Sequence, residues 1–249
     1  MKHIFAISIL LMSAMTLPVY GTASIVAGNW YLQASSQLSA TGASQIPQIG
    51  GSLMQNGSIV SGVLHISDSD CYDWATGLPV SGTINGTTVS LTSHGVAGEA
   101  ITINGTVTSN LITGTYNIQA GCADGDYGTI TATLLSPATG NWTGTVAGGA
   151  NAAAMLSQAL PNASGYSLLS GTLTFSGANC TASGTLANDQ SWVLGNVIQA
   201  VVSLNNGGVM ALNGFITDVS NAANRMTVNF SISEGTCAGQ TGSVTFSRP

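Results

Sequence analysis

The residues VSGTINGTTVSLT, at positions 80–92, decide the fold class. Apolar and polar residues alternate on both sides of Asn85-Gly86, and a period of two is typical of a strand with one buried face. Asn-Gly is the strongest short signal for a two-residue hairpin turn, because both residues of that turn need a positive φ. The stretch therefore predicts two antiparallel strands joined by a tight turn.

The same alternation recurs in short runs along most of the chain. The runs in the first half are 30–34, a short one around Leu53, 59–66, 80–84, 87–92, 100–107, 111–118 and 128–134. Eight short antiparallel strands close most naturally into a barrel, which leaves no exposed edge. The segment AAAMLSQAL at 152–160 is the one run with a helical composition, and Pro161 follows it. We expect a short helix there.

Landmark residues occur twice in the same order, about 110 residues apart. They are Gly28-Asn29-Trp30 with Gly140-Asn141-Trp142, Cys71 with Cys180, and Cys122 with Cys237. A period of this length suits a whole domain and not a solenoid repeat. The sequence predicts an all-β protein of two tandem antiparallel up-and-down barrels with about eight strands each, at 24–136 and 137–249.

The four cysteines predict disulfides, because an even number in an exported chain reads as a bonded framework. Four cysteines allow three pairings. If each copy folds on its own, the bonds lie within copies, as Cys71–Cys122 and Cys180–Cys237. Their spacing excludes a compact zinc motif of the Cys-x-x-Cys kind.

The first residues are typical of an export signal. A short polar start at Lys2-His3 precedes an uncharged run from Ile4 to Leu17, and small residues follow up to Ala23. The run is shorter than the roughly 20 residues that span a bilayer. We expect a signal peptide at 1–23 and a secreted, periplasmic or cell-surface location; a retained anchor is the alternative.

Charge excludes several classes of function. Charged residues make up 5% of the chain, and beyond Lys2 only Arg225 and Arg248 oppose nine acids. Nucleic-acid binding needs many Lys and Arg side chains to displace counterions from phosphates, and attraction to anionic lipid needs the same. Chemistry through a lysine Schiff base is excluded in the mature chain. We expect neither nucleic acid nor an anionic membrane surface as a partner.

A resemblance to a known family rests on the ends of the copies. A Gly-x-Trp on the first strand with an arginine near the end of the last strand resembles the calycins, the lipocalin and avidin type of eight-stranded barrel. The resemblance implies that Arg248 packs over Trp142 and closes one end of the second copy. The first copy departs from the pattern, because Leu134 takes the place of the arginine. The tandem chain also resembles uncharacterised Gly/Ser/Thr-rich exported bacterial proteins.

An outer-membrane barrel is the rival architecture. It predicts aromatic girdles and an apolar final strand. Aromatic residues are 6% of this chain, which ends in Ser247-Arg248-Pro249. We therefore expect a protein that does not span a membrane.

No catalytic constellation stands out. The mature chain has two histidines, His65 and His94, and neither a Gly-x-Ser-x-Gly turn nor a Ser-x-x-Lys motif. His65 lies between Leu64 and Ile66, in the register of a polar residue that faces solvent or the lumen. We expect no enzyme, and a hydrolase that uses His65 or His94 is the least favoured hypothesis.

Five of the nine acids flank the first two cysteines. They are Asp68, Asp70, Asp73, Asp124 and Asp126. A Cys71–Cys122 bond would bring the two stretches together, and oxygen-rich loops of this kind suit Ca²⁺. Solvated loop tips, where Asp stabilises turns, are the more common interpretation. No other cofactor is expected.

Aromatic side chains on predicted strands could line a cavity. They are Trp30, Tyr116, Trp142, Trp192, Phe215 and Phe230. A small eight-stranded barrel either fills with its own side chains or holds one small ligand. The leading hypothesis is an exported non-enzymatic protein whose barrels bind a small apolar ligand or a surface partner. The alternative is a structural or adhesive cell-surface protein with solid barrels.

Overall fold

The fold is all-β, as the sequence predicts. The structure is a computed structural model that describes residues 25–39, 42–95, 98–146, 149, 151–176, 180–220 and 222–248. The expected signal peptide at 1–23 lies outside these residues. Every regular element among them is a strand. None of the described chain forms a helix long and apolar enough to cross a bilayer.

The first barrel is a closed antiparallel meander of eight strands. They are β1 (Gly28–Ser36), β2 (Gln48–Asn56), β3 (Ile59–Ser67), β4 (Leu78–Asn85), β5 (Thr88–His94), β6 (Ala100–Thr108), β7 (Leu111–Gln119) and β8 (Tyr127–Leu135). Each strand pairs with the next, and β8 returns to β1. A tight turn joins β4 to β5 as predicted, but its two residues are Gly86 and Thr87, because Asn85 ends β4 and pairs with Thr88. Gly86 has a φ of 59°, whereas Asn85 does not take the positive φ expected of it.

The second barrel repeats this arrangement with one strand position divided. Its strands are β9 (Gly140–Val146), β10 (Asn151–Pro161), β11 (Ser167–Ser176), β12 (Thr181–Leu186), β13 (Trp192–Leu194), β14 (Val197–Leu204), β15 (Val209–Ile216), β16 (Arg225–Ser233) and β17 (Thr241–Ser247). Both β12 and β13 lie between β11 and β14, so eight positions close through the β9–β17 and β10–β11 pairings.

The helix expected at 152–160 is wrong. These residues belong to β10, where Ala152, Ala154 and Leu156 face the core and Ala153 and Met155 face solvent. The strand pairs with β9 on one side and β11 on the other. Alanine favours helices by only a fraction of a kcal/mol per residue, and two flanking strands outweigh that preference.

Each barrel holds its tryptophan in the same way. Trp30 donates its indole N–H to the Val26 carbonyl oxygen at 2.7 Å, and Trp142 donates to Ala138 at 2.8 Å. The residue that accepts the indole N–H, Val26 or Ala138, also donates its own backbone N–H to a glutamine side chain of the second strand of its barrel. The two glutamines are Gln55 and Gln158. These paired contacts make the two barrels resemble a repeat.

The disulfides join Cys71 to Cys122 and Cys180 to Cys237, as predicted. Each bond therefore lies within one barrel. Cys180 and Cys237 are buried, whereas Cys71 is half-buried and Cys122 is exposed. The second disulfide belongs to the apolar core, and the first lies at the surface.

Candidate functional site

The six predicted aromatic residues divide between the inside and the outside of the barrels. Trp30 and Tyr116 are buried in the first barrel, and Trp142 and Phe230 are buried in the second. Trp192 is half-buried and Phe215 is 54% exposed. The six side chains therefore do not line one shared cavity.

Side chains fill the interiors of both barrels. The interior space that Leu156, Leu173 and Phe246 help to line in the second barrel is about 30 Å³. The corresponding space in the first barrel, beside Ile49 and Ile103, is about 10 Å³. Pockets for small molecules measure about 300–1,000 Å³. These interior spaces are therefore of the size that holds a water molecule.

One end of the second barrel is closed by an arginine. The Arg248 guanidinium lies 4.8 Å from the centre of the Trp142 ring, and it donates hydrogen bonds to the carbonyl oxygens of Pro137, Thr139 and Ala222 at 2.7–3.0 Å. Burial lowers the pKa of this guanidinium from its ordinary value, and Asp218 opposes the shift. In the first barrel Leu134 pairs opposite Trp30.

His65 lies between the two barrels, not toward solvent or the lumen. It is 1% exposed, and its Nδ1 lies 2.8 Å from the carbonyl oxygen of Trp74 in the first barrel. Its Nε2 lies 3.1 Å from the carbonyl oxygen of Ser164 in the second. The partners of His65 are thus backbone carbonyls, and the ring connects the two units. His94 is exposed at the end of β5.

The contact between the barrels, which we call the joint, includes three further polar links. The Asn29 carboxamide donates to the Gly195 carbonyl oxygen and accepts the Gly195 N–H, both at 2.7 Å. The Ser52 hydroxyl donates to the Gly165 carbonyl oxygen at 2.8 Å. Asn29 and Ser52 are buried. The sequence offered no signal for these contacts, since Asn29 and Asn141 occupy identical motifs and Asn141 is exposed.

Aromatic rings cross the joint in series. Ring centres are 5.6 Å apart for Trp74 and His65, 5.1 Å for His65 and Tyr166, and 4.9 Å for Tyr166 and Trp192. Tyr166 therefore connects the buried histidine to the surface of the second barrel. Burial raises the pKa of the Tyr166 hydroxyl.

Asp126 is the centre of a buried hydrogen-bond cluster in the first barrel. Its carboxylate accepts hydrogen bonds from the hydroxyls of Ser36, Ser44 and Tyr116 and from the N–H of Gln45. Burial raises the pKa of Tyr116 to about 12; the Ser44 hydrogen bond opposes this shift, and the charge of Asp126 adds to it. The carboxylate thus ties the 44–45 segment to β7.

The structure brings some of the other predicted acids near Asp126 and leaves the rest apart. Asp70 and Asp124 line a groove of about 480 Å³ beside the Cys71–Cys122 bond, together with Asp126. Asp124 accepts the N–H of Ala120, Asp73 accepts that of Ala75, and Asp68 lies near enough to Tyr31 to act on its pKa. Within the described residues, no three His, Cys, Asp or Glu side chains form a group that could hold a metal. The Ca²⁺ site stays a prediction.

The outer surface of the second barrel carries a groove of about 500 Å³, which we call the outer groove. Its polar and aromatic lining includes Trp192, Gln199, Asn213, Phe215 and Asn229. Strand register aligns the three carboxamides in one row, because Gln199 pairs with Asn213 and Asn213 with Asn229. Trp192 pairs with Gln199 from the other side.

Comparisons with known proteins find little. No family model matches the chain, and no curated protein matches it. A crystal structure of a protein with unknown function from the DUF3598 family of Nostoc punctiforme PCC 73102 is similar at 12% identity and a TM-score of 0.25. The similarity covers 90% of this chain and 96% of that one.

Proposed function

We propose that this protein is an exported, non-enzymatic structural or adhesive protein, whose two calycin-like barrels are solid and act through their outer surfaces. The observation that carries the proposal is the filled interior of each barrel, with spaces of about 30 and 10 Å³. An apolar ligand of ordinary size would have to displace buried side chains of the core.

Three further observations support the proposal. Arg248 stacks on Trp142 at the end of the second barrel, which is the contact that the calycin resemblance implies. Two disulfides suit an oxidising compartment outside the cytosol. A surface rich in Ser, Thr and Asn with few charges also suits a role in which the outside of the barrels makes the contacts.

Binding of apolar probes tests whether the barrels are solid. Native mass spectrometry after mild purification should show the bare mass of the oxidised chain, and benzene should not raise its melting temperature. The matched control is Phe246→Ala, which removes a buried ring beside the interior space of the second barrel. Large-to-small core variants leave cavities that bind benzene.

The two proteins should therefore differ, with benzene stabilising only Phe246→Ala. A small molecule that copurifies with the parent protein, or a benzene effect on the parent, contradicts the solid barrel and favours the alternative of an apolar ligand.

A further inference from the structure

We propose that the outer groove of the second barrel binds a neutral oligosaccharide. The inference rests on the proposed role of the outer surface and names a class of partner for it. It is carried by the aromatic rings, the carboxamide row and the absence of charge in the groove lining.

Two aromatic side chains lie at the surface with a fixed spacing. Trp192 on β13 and Phe215 on β15 are two strands apart and offset by two residues. Strand geometry then places their Cα atoms about 12 Å apart. The edge contact with Tyr166 holds Trp192, at 4.9 Å between ring centres. The C–H faces of sugar rings suit such rings, because aromatic faces carry partial negative charge.

The three carboxamides form a row that begins beside Trp192 and ends one strand beyond that of Phe215. The side chains of Gln199, Asn213 and Asn229 make no hydrogen bond with the described part of the chain. A carboxamide both donates and accepts, as a sugar hydroxyl does, and adjacent strands place successive amides about 4.8 Å apart. The row therefore matches a ligand that presents hydroxyl groups along its length.

The chemistry of the groove separates this ligand from others. Its lining contains no Asp, Glu, Lys or Arg, so an ionic ligand would find no counter-charge there. An apolar ligand would cover the carboxamides without pairing them, and burial of an amide without a hydrogen-bond partner is unfavourable. A neutral sugar chain can stack its C–H faces on the aromatic rings and exchange hydrogen bonds between its hydroxyls and the amides.

The first barrel supplies an internal contrast. By alignment of the strands, the positions of Gln199, Phe215 and Asn229 correspond to Ser90, Thr106 and Thr115. The position of Trp192 corresponds to Thr83. Only the amide of Asn213 has a counterpart of the same type, in Asn104. Rings are therefore present on one barrel and replaced by short hydroxyl side chains on the other.

Binding to defined oligosaccharides tests the inference on the full oxidised chain. The probes are cellohexaose, maltohexaose, mannohexaose and chitohexaose, with polygalacturonate as a charged comparison, and the readouts are calorimetry and tryptophan fluorescence. The variants are Phe215→Ala, Trp192→Ala and Asn213→Ala. Leu160→Ala is the matched control, because Leu160 is an apolar residue of the same barrel that is 89% exposed and lies outside the groove.

We expect at least one neutral probe to bind, with affinity reduced tenfold or more in each groove variant and unchanged in Leu160→Ala. Absence of binding to every neutral probe overturns the inference, as does binding that survives Phe215→Ala and Trp192→Ala. Failure here leaves the benzene result intact, so it is distinguishable from failure of the proposed solid barrels.

Discussion

The two barrels end differently around the same buried tryptophan. In the second, Arg248 covers Trp142 and donates to three carbonyl oxygens. In the first, Leu134 occupies the place opposite Trp30. Both indoles nevertheless donate to the residue four positions earlier. The position of the tryptophan therefore depends on its backbone contact, and the arginine adds a cover that one barrel does without.

Their polar side chains are also placed differently. The first barrel buries a carboxylate, Asp126, within four hydrogen bonds. At the corresponding turn, before the last strand, the second barrel has Gln240, which is half-buried. The second barrel instead displays its rings and amides outside. One frame thus supports an inner polar cluster in one unit and an outer polar surface in the other.

The two disulfides also differ, because the one in the second barrel is buried and the one in the first lies at the surface. Removal of one disulfide at a time should give the largest difference between the barrels. Each bond closes a loop of similar length, with separations of 51 and 57 residues. On the chain-entropy model each contributes about 4 kcal/mol to the free energy of unfolding. The double variant Cys180→Ser, Cys237→Ser should lose more than Cys71→Ser, Cys122→Ser, because its serines are buried in the core. Urea unfolding measures both; an equal or reversed order contradicts the difference in burial.

The joint is tested by Gly195→Ala. Gly195 has a φ of 56°, and an added Cβ would collide with the Cα of Gly50 on the first barrel. We expect a loss of about 2–4 kcal/mol and separate melting of the two barrels, because backbone strain and a clash combine.

Gly57→Ala is the matched control for the joint. Gly57 has a φ of 60°, and its Cβ would meet nothing within 4 Å. Gly57→Ala should show the backbone strain alone, with a smaller loss in the free energy of unfolding and no separate melting of the two barrels. Identical calorimetric traces for the two variants would mean that the glycine contact does not hold the joint.

The arginine cover is tested by Arg248→Ala. The variant loses a cation–π contact and three hydrogen bonds, so we expect a loss of about 1–3 kcal/mol in the second barrel, and Trp142 fluorescence should shift. Arg248→Lys should recover only part of it, since ammonium lacks the planar fork. Arg225→Ala, at an exposed position, is the control and should be near neutral. Equal losses for both arginines would remove the special role of Arg248.

The smallest effect is expected for Phe215→Thr, which copies Thr106 of the first barrel. Phe215 is on the surface, so the free energy of unfolding should change by less than about 0.5 kcal/mol. Thermal unfolding measures the change. A loss above 1 kcal/mol would show that the ring serves the fold and not a surface function.

The fold is predictable from the sequence because its signals are local or repeated. The Asn-Gly hairpin signal and the period-two alternation act over short distances, although the turn lies one residue later than predicted, at Gly86-Thr87. The matched tryptophans and cysteines occur twice. The segment 152–160 misled because its alternation uses alanine on both faces, and composition alone then favours a helix. Burial on alternate residues became visible only with both neighbouring strands in place.

The site was less predictable. His65 has the strand register of a residue on the outside of the first barrel, as predicted, but the second barrel covers it. Its neighbours in sequence give no sign of this burial. The same holds for Asn29. Asp126 and the exposed Asp124 are the same residue type, two positions apart in one loop. Only the fold shows that Asp126 is buried and hydrogen-bonded whereas Asp124 lies at the loop tip. Contacts between distant segments decide these roles.

The ring series across the joint has a consequence for truncation. Tyr166 contacts His65 of the first barrel on one side and Trp192 of the second on the other. Without the first barrel, the Tyr166 ring would lose its contact with His65 and have only that with Trp192. The Trp192 ring is thus oriented partly through His65, which lies far earlier in the chain, and the tandem arrangement helps to shape the surface that the protein displays.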